Sequence, residues 1–559
     1  MLELNFNIVK VGPLRLFRAL IDEIDLVNTI NNNVSWDRKQ CKISPGELVV
    51  ALMLGIFGGR RALYTLHEYY EDQDLELIFG RKNLVPDDFN DDCLGRALDR
   101  LADCCFSKLF GTAILSAQRV HGFTTEACHA DTTSVSVYGD YGREDYPWLE
   151  TLAITYGHSK AQRPDLKQFK LGLYTTSEGV PLGGEPLDGN LDDKTWSRLF
   201  LEGLDEIETV LAETILVIDS AAMNGHCLDL IRERKLRLIS RLPETFNLCG
   251  ELKEEALRDN NWRAVTFSAD EKKNERYKVC DYERDLAGGT YRFVAVRSEP
   301  LARQKRKSIE TAAAKEQAVL EKRLAALGKK RFATREEAEN AWREFLAEKK
   351  SRFHILSCRC EEGEEAQKRG KRGRPAKGET LEYEHFHVLA ASAERDEARI
   401  EHAKQLAGIF VLFCSAPGLG PSEILKHYKD RAYIENRFRV LKDPLFAGAV
   451  FLKKPERVNA LGYVMILALL IYSLFERRIR RGLLAENEPY QVAGSYRTFT
   501  PRGETVMEVL KNITIARFER PNGVLRQVPA NLRDKTKRVV RLAGFDIDIY
   551  TKPAVYKSD

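Results

Sequence analysis

The chain reads as a mixed α/β protein: an all-helical N-terminal segment, then a sheet-bearing core interrupted by a large α+β insertion. Three observations carry that reading. Residues 127–137 (ACHADTTSVSV) are rich in β-branched side chains, and residues 168–176 (QFKLGLYTT) alternate with period two. TILVID at 214–219 and IFVLFC at 409–414 are short continuous apolar runs of the buried-strand kind. Helix-period stretches separate these runs, as in sheets covered by helices on their faces.

Taken in order, residues 1–124 are helical. Ser44-Pro45-Gly46-Glu47 reads as a capping box with proline at the first helical position, followed by LVVALMLGIFGG. Asn90-Asp91-Asp92 opens a helix over LGRALDRLADCCFSKLF, with carboxylates at its positive end. The core begins at residue 125. Strands are expected at 127–137 and 168–176, and at VPLGGEP after the Ser177-Glu178-Gly179 turn. A helix over 195–211, the strand 214–219, a helix over 222–234 and the strand LRLISRLP complete this first part, 125–243. Asp131 falls within the first strand and Asp219 closes the fourth. Strand ends at the centre of an open sheet are where ligands gather.

The insertion, 244–408, begins with short strands (WRAVTF, RYKVCDYE, TYRFVAVRS). A charged helical hairpin at 301–350 follows, with Ala313, Leu320, Leu324 and Leu327 in heptad-like spacing, read as an antiparallel strut. KRGKRGRPAK, 368–377, is a basic loop in which Arg372-Gly373-Arg374-Pro375 is similar to an AT-hook. Its arginines would enter a narrow minor groove; the alternative is a solvated loop. The core resumes over 409–484, where Leu461–Phe475 is read as a buried helix rather than a membrane span. Residues 485–559 are read as a small mixed tail.

Composition is that of a soluble globular protein: 30% charged, 43% hydrophobic, formal net charge +4, so any basic surface is local. The 11 cysteines lack a repeated zinc-type spacing and read as reduced thiols, and the chain starts without a signal sequence. A cytoplasmic protein is expected, with no membrane partner.

The richest stretch is YKDRAYIENRFRVLK, Tyr428 to Lys442. On one helix at roughly 100° per residue, Tyr428, Arg431, Glu435 and Lys442 share about one sixth of the circumference. Ile424, Leu425, Ala432, Phe438 and Leu441 form the docking side. Lys426, Lys429, Arg437 and Arg439 would add a surface that tracks a nucleic-acid backbone. Asp131, Asp219 and Glu435 are three carboxylates that one sheet could gather, and clustered carboxylates call for divalent cations. Oxygen ligands suit Mg²⁺ or Mn²⁺, and a pair of such ions serves phosphoryl transfer. Arg431 and Arg439 suit phosphate, Lys442 supplies a point charge, and Tyr428 a hydroxyl.

With these residues in view, the chain resembles the DDE transposases of bacterial insertion sequences, in the branch marked by Tyr, Arg, Glu and Lys at the spacing of Tyr428, Arg431, Glu435 and Lys442. HADTTSVSVYG, GHSKAQRPDLKQFKLGL, VIDSAAMN, ISRLP and the 441–472 stretch are similar to that family too. The resemblance implies a ribonuclease-H-like catalytic core and two Mg²⁺ or Mn²⁺ ions on Asp131, Asp219 and Glu435. It implies phosphate contacts by Tyr428, Arg431 and Lys442, and cleavage through a hairpin at terminal inverted repeats. It further implies that the helical domain binds end DNA, that a homodimer pairs two ends on double-stranded DNA, and that the protein associates with the bacterial nucleoid. A base turned out of the hairpin needs an aromatic platform, for which Trp262 is the candidate and Trp196 and Trp342 the competitors. Two other readings stand beside this one: a catalytically inactive DNA-binding derivative, and a metal-dependent nuclease of the same fold.

Overall fold

The structure is a computed structural model that describes residues 6–59, 63–138, 141, 152–158, 163–203, 214–267, 271–348, 350–366, 383–442, 452, 454–520 and 523–555. Its largest sheet has nine strands. In chain order these are β1 (Ala127–Val137), β2 (Lys167–Thr176), β3 (Pro181–Leu187), β4 (Ile215–Ile218), β5 (Leu238–Arg241), β6 (Arg263–Ala264), β7 (Tyr277–Leu286), β8 (Gly289–Ser298) and β9 (Ile409–Cys414). Across the sheet they run β3-β2-β1-β4-β5-β9-β8-β7-β6. β1 pairs antiparallel with β2 and parallel with β4, and β4 pairs parallel with β5. The winding of the chain therefore reverses at β1. The apolar runs expected as buried strands lie where that expectation put them, β4 and β9 being buried at every residue.

The insertion begins by extending this sheet. β9 lies antiparallel between β5 and β8, so β7 and β8 continue the core sheet rather than forming a separate unit. Beyond them, helices Glu299–Gly328 and Arg335–Glu348 form the expected charged hairpin. It is more than a strut. Ile309 and Ala313 pack with Phe353 and with Ile400 of helix Glu397–Ala407, while Leu327 and Ala338 pack with Leu389. Leu389 belongs to a long antiparallel pair, His354–Ala366 with Tyr383–Arg395, that the sequence reading did not anticipate. The basic loop with Arg372 and Arg374 lies outside the described residues.

Among the described residues, the next helices after β9 are α1 (Pro421–Asp430), α2 (Ala432–Lys442) and α3 (Pro455–Glu486). α3 is long and apolar enough to cross a membrane, yet 89% of its most apolar window is buried in the protein, as expected of a core helix. On one side its Phe475 ring lies 5.1 Å from Phe17, and Tyr463 stacks on Phe106 at 3.9 Å. On the other, Gly462 lies so close to Pro186 of β3 that a Cβ would stand 2.7 Å from its ring. One hydrophobic core therefore joins the N-terminal helices, α3 and the sheet.

The N-terminal helices begin where expected, though not always by the expected contacts. Ser44 accepts from the Glu47 amide at 3.2 Å, but Glu47 turns inward to Arg18 at 2.6 Å instead of closing the capping box. Asn90 caps its helix through the Cys93 amide, and that helix ends at Ala102 before a second begins at Phe106. Residues 485–559 are not a separate tail: strand Thr514–Arg520 pairs with Phe6–Lys10, and Arg526 clamps Asp74 at 2.7 and 2.9 Å. The two ends of the chain thus complete one unit.

Candidate active site

The register of the sheet places the two aspartates. β1 and β4 are parallel neighbours, with Ala127 beside Ile215, Cys128 beside Leu216 and His129 beside Val217. Continued by two residues, that register sets Asp131 level with Asp219 at the carboxyl end of β4. Adjacent strands are only about 4.8 Å apart, so the carboxylates face a shared space at the reversal point of the sheet. Asp131 is mid-strand and opposite Leu173 of β2, while Asp219 follows β4 and caps a 3₁₀ turn, Ser220–Ala222.

Arg431 fills that space. Its Nη2 donates to Asp131 Oδ2 at 3.2 Å and to Asp219 Oδ2 at 3.1 Å. The other oxygen of each carboxylate is held locally, Asp131 Oδ1 by the Thr132 amide at 2.8 Å and Asp219 Oδ1 by the Ser220 hydroxyl at 3.2 Å. Burial alone would raise the pKa of Asp219, but the hydrogen bond and charge of Arg431 outweigh it and hold the carboxyl below its ordinary range. The same contacts push the guanidinium upward against the effect of its burial.

The expected single helix from Tyr428 to Lys442 is two helices. α1 ends at Asp430 and α2 begins at Ala432, with Arg431 between them at φ −52°, ψ −26°, still right-handed. The signature residues are therefore shared across an interruption. Tyr428 on α1 packs its ring 5.7 Å from Phe410 of β9, and burial raises its pKa, so the hydroxyl keeps its proton. Glu435 lies in the first turn of α2, exposed, and adds to the upward shift of Tyr428. The structure thus brings Asp131, Asp219 and Arg431 into contact, and places Glu435 near enough to Tyr428 for its charge to be felt there. Among the described residues, no group of three His, Cys, Asp or Glu side chains is gathered so as to hold a metal. The side chain of Lys442 lies outside the described residues.

The docking side expected of the helix is mostly right. Ile424, Leu425, Phe438 and Leu441 are buried, joined by Ile434, but Ala432 is exposed. Arg437 departs from its expected place on a phosphate-tracking surface. It is 1% exposed, donates from Nε to the Gly179 carbonyl at 2.7 Å and pairs with Glu476 of α3 at 2.9 Å. The reason is its position on the helix: two residues after exposed Glu435, about 200° around the axis, it points into the core. Arg439 is half-buried, with its Nε unpartnered. Trp262 packs partly buried against the main core with Arg297 over its ring at 5.9 Å. Trp196 is 2% exposed and bonds Glu185, which leaves no open face for a base. Trp342 stacks on Phe345 and borders a cavity of about 440 Å³ with Cys358, Cys360 and Arg335.

Among known protein families, the one described as Domain of unknown function (DUF4277) matches residues 6–115, the helical segment N-terminal to the sheet. No curated protein matches the chain. The match stops short of β1, so it does not bear on the aspartates.

Of the further neighbours of the site, Lys429 was expected on the backbone-tracking surface, whereas Arg241 and His129 were passed over in the sequence. Lys429 sits 4.4 Å over the Tyr277 ring and 5.5 Å from that of Phe410, and Arg241, at the end of β5, lies 5.7 Å over the same Phe410 ring. Arg241 stands in the ISRLP stretch, whose place at a strand end beside β4 was the available signal. His129, two residues before Asp131, is fully buried with Nε2 3.2 Å from the Ser177 hydroxyl. Burial, reinforced by His427 and Arg431, pushes its pKa down to about 3, so it is neutral.

Proposed function

We propose that this chain is a DNA transposase that cuts and joins DNA at the terminal inverted repeats of its insertion sequence. The observation that carries the reading is the pair Asp131 and Asp219, level on parallel neighbouring strands where the winding reverses, with Arg431 between them. The strand order β3-β2-β1-β4-β5, antiparallel on one side of β1 and parallel on the other, supports a ribonuclease-H-like core. The spacing of Tyr428, Arg431, Glu435 and Lys442 supports the transposase branch.

The donor set fits divalent cations. Two carboxylate oxygens already share one cationic nitrogen, and oxygen donors suit Mg²⁺ or Mn²⁺. Two such ions, when bound, supply activation of the attacking oxygen and neutralisation of the leaving one. Asp131 and Asp219 would hold them from the sheet, with Glu435 of the first turn of α2 as the third ligand. The residues of this chain do the rest. Arg431 and Lys442 hold the phosphate, Tyr428 donates its retained proton to a phosphate oxygen, and Arg439, Lys429 and Arg241 follow the backbone on either side. Water attacks phosphorus at the end of the element, and the element's 3′ oxygen leaves as a hydroxyl while the flank keeps the 5′ phosphate. That hydroxyl then gives up its proton and attacks the phosphodiester of the opposite strand, expelling the flank's 3′ oxygen as a hydroxyl and closing a hairpin on the element's end. Double-stranded DNA is the substrate, and a homodimer pairs two ends.

The test is binding and cleavage of DNA flanking the gene, with Mg²⁺ or Mn²⁺, by wild type and Asp131→Ala. Cleavage is expected to vanish in the variant while binding persists, and binding is expected to fall steeply with salt as counterions are released. Binding without cleavage by the wild type favours the inactive DNA-binding reading instead.

A further inference from the structure

Arg431 does more at this site than a phosphate contact requires. We infer that Arg431 is an internal counter-ion that occupies the space between Asp131 and Asp219 until DNA phosphate draws it away, so that divalent-ion binding and DNA binding are coupled through this one side chain. The inference rests on the reading of the two aspartates as ion ligands.

Three features of the contact support it. Each aspartate has one oxygen committed to its own chain neighbour, Thr132 or Ser220, and the remaining oxygen of each goes to Arg431 Nη2. An ion that takes those oxygens must displace the guanidinium, because both bonds converge on a single nitrogen. The arginine is also incompletely satisfied: its Nε is buried and makes no hydrogen bond. A phosphate accepts two parallel bonds from a guanidinium, and so offers Arg431 a more complete set of partners than the carboxylates do. Finally, Arg431 lies at the interruption between α1 and α2, where the regular helix is already broken. Its withdrawal therefore need not disrupt a continuous helix.

The consequence is a linkage. With Arg431 in place, half of the carboxylates' charge is offset and the oxygens that an ion would take are occupied, so divalent ions bind weakly. With Arg431 on a phosphate, they are freed, and by reciprocity bound ions favour release of Arg431 toward DNA. The chain on its own, in the presence of cellular Mg²⁺, is thereby held back from cutting until an end is bound.

The experiment is calorimetric titration of Mn²⁺ into the full chain without DNA, for wild type, Arg431→Gln, Arg431→Lys and Asp219→Asn. Arg431→Gln is expected to bind Mn²⁺ at least tenfold more tightly than wild type. Arg431→Lys keeps the charge but cannot present the same fork, and is expected to gain a few-fold, which also serves if the glutamine variant fails to fold. Asp219→Asn is expected to lose the site. Wild-type or weaker affinity in the arginine variants, with loss in Asp219→Asn, overturns the counter-ion role and leaves the ion site standing. Unchanged binding in Asp219→Asn, or no binding in any of the four, overturns the ion site and the inference with it.

Discussion

Glu476→Gln tests how the helix that carries Glu435 is held. Glu476 lies on α3, 4% exposed, and its carboxylate takes Arg437 of α2 at 2.9 Å, Arg480 at 2.7 Å and the Gly503 amide at 2.9 Å. Arg437 is 1% exposed, and among the described residues its other partners are the carbonyls of Gly179 and Glu178 and the ring of Tyr472, none of them a carboxylate. Removing one member of a buried pair costs about 3–5 kcal/mol, because the partner charge stays behind unpaired. Gln retains one acceptor and sits at the low end, about 3 kcal/mol; Leu also strands the Gly503 amide and sits at the high end, about 5 kcal/mol. Adding Arg437→Met to Glu476→Leu is expected to recover much of that loss, since the stranded charge goes with it. The pH dependence has a definite sign. Burial raises the pKa of Glu476, but Arg437 and Arg480 outweigh it and set the folded value below the ordinary one. The pair thus stabilises the protein above about pH 4.5 and loses that contribution as pH falls through the lower folded value. Urea unfolding followed by circular dichroism at several pH values measures this. A loss below about 1 kcal/mol for Glu476→Gln at pH 7, or a gap from wild type that stays constant down to pH 3, refutes the reasoning.

Two further predictions concern the sheet and the helix break. In Gly172→Ala, on β2, the new Cβ falls 2.5 Å from the ring of Trp196, which Glu185 holds in place, so a loss of about 1–3 kcal/mol is expected. An unchanged melting temperature contradicts the packing described. Asp430, the last residue of α1, has its pKa raised to about 6 by burial, only partly offset by Lys426. The folded state therefore holds this proton more tightly than the unfolded chain, and stability falls as pH rises from about 4 to about 6. Asp430→Asn is expected to stabilise the protein at pH 7 by roughly 2 kcal/mol and to have no effect below pH 4, in paired denaturation curves.

The strands of the sheet were legible because buried strands announce themselves by local composition: TILVID and IFVLFC lie at the centre of the sheet. Asp131 and Asp219 were legible for a related reason, as acidic residues within or at the end of such runs. Their convergence was not, because it depends on the register between β1 and β4, which no local pattern encodes. Arg431 was identified as a cation of the site, but its contact with both aspartates requires three-dimensional placement. The break between α1 and α2 left no proline or glycine to mark it. Arg437 was misplaced because helix periodicity was applied to the favoured face and not to every cation on the helix. The union of the chain's ends was also hidden, since Arg526 and Asp74 are distant in sequence and each reads locally as a surface charge.

The central claim is that Asp131 and Asp219 carry phosphoryl transfer on DNA ends. The most direct measurement is a denaturing-gel assay of labelled DNA spanning the gene's flank, incubated with Mg²⁺ or Mn²⁺ and either wild type or Asp219→Ala, with a native gel in parallel. The account predicts nicks at a repeat boundary and a hairpin-sized product from the wild type alone, with both proteins shifting the DNA. Equal cleavage by Asp219→Ala, or DNA shifted by both proteins and cut by neither, contradicts it.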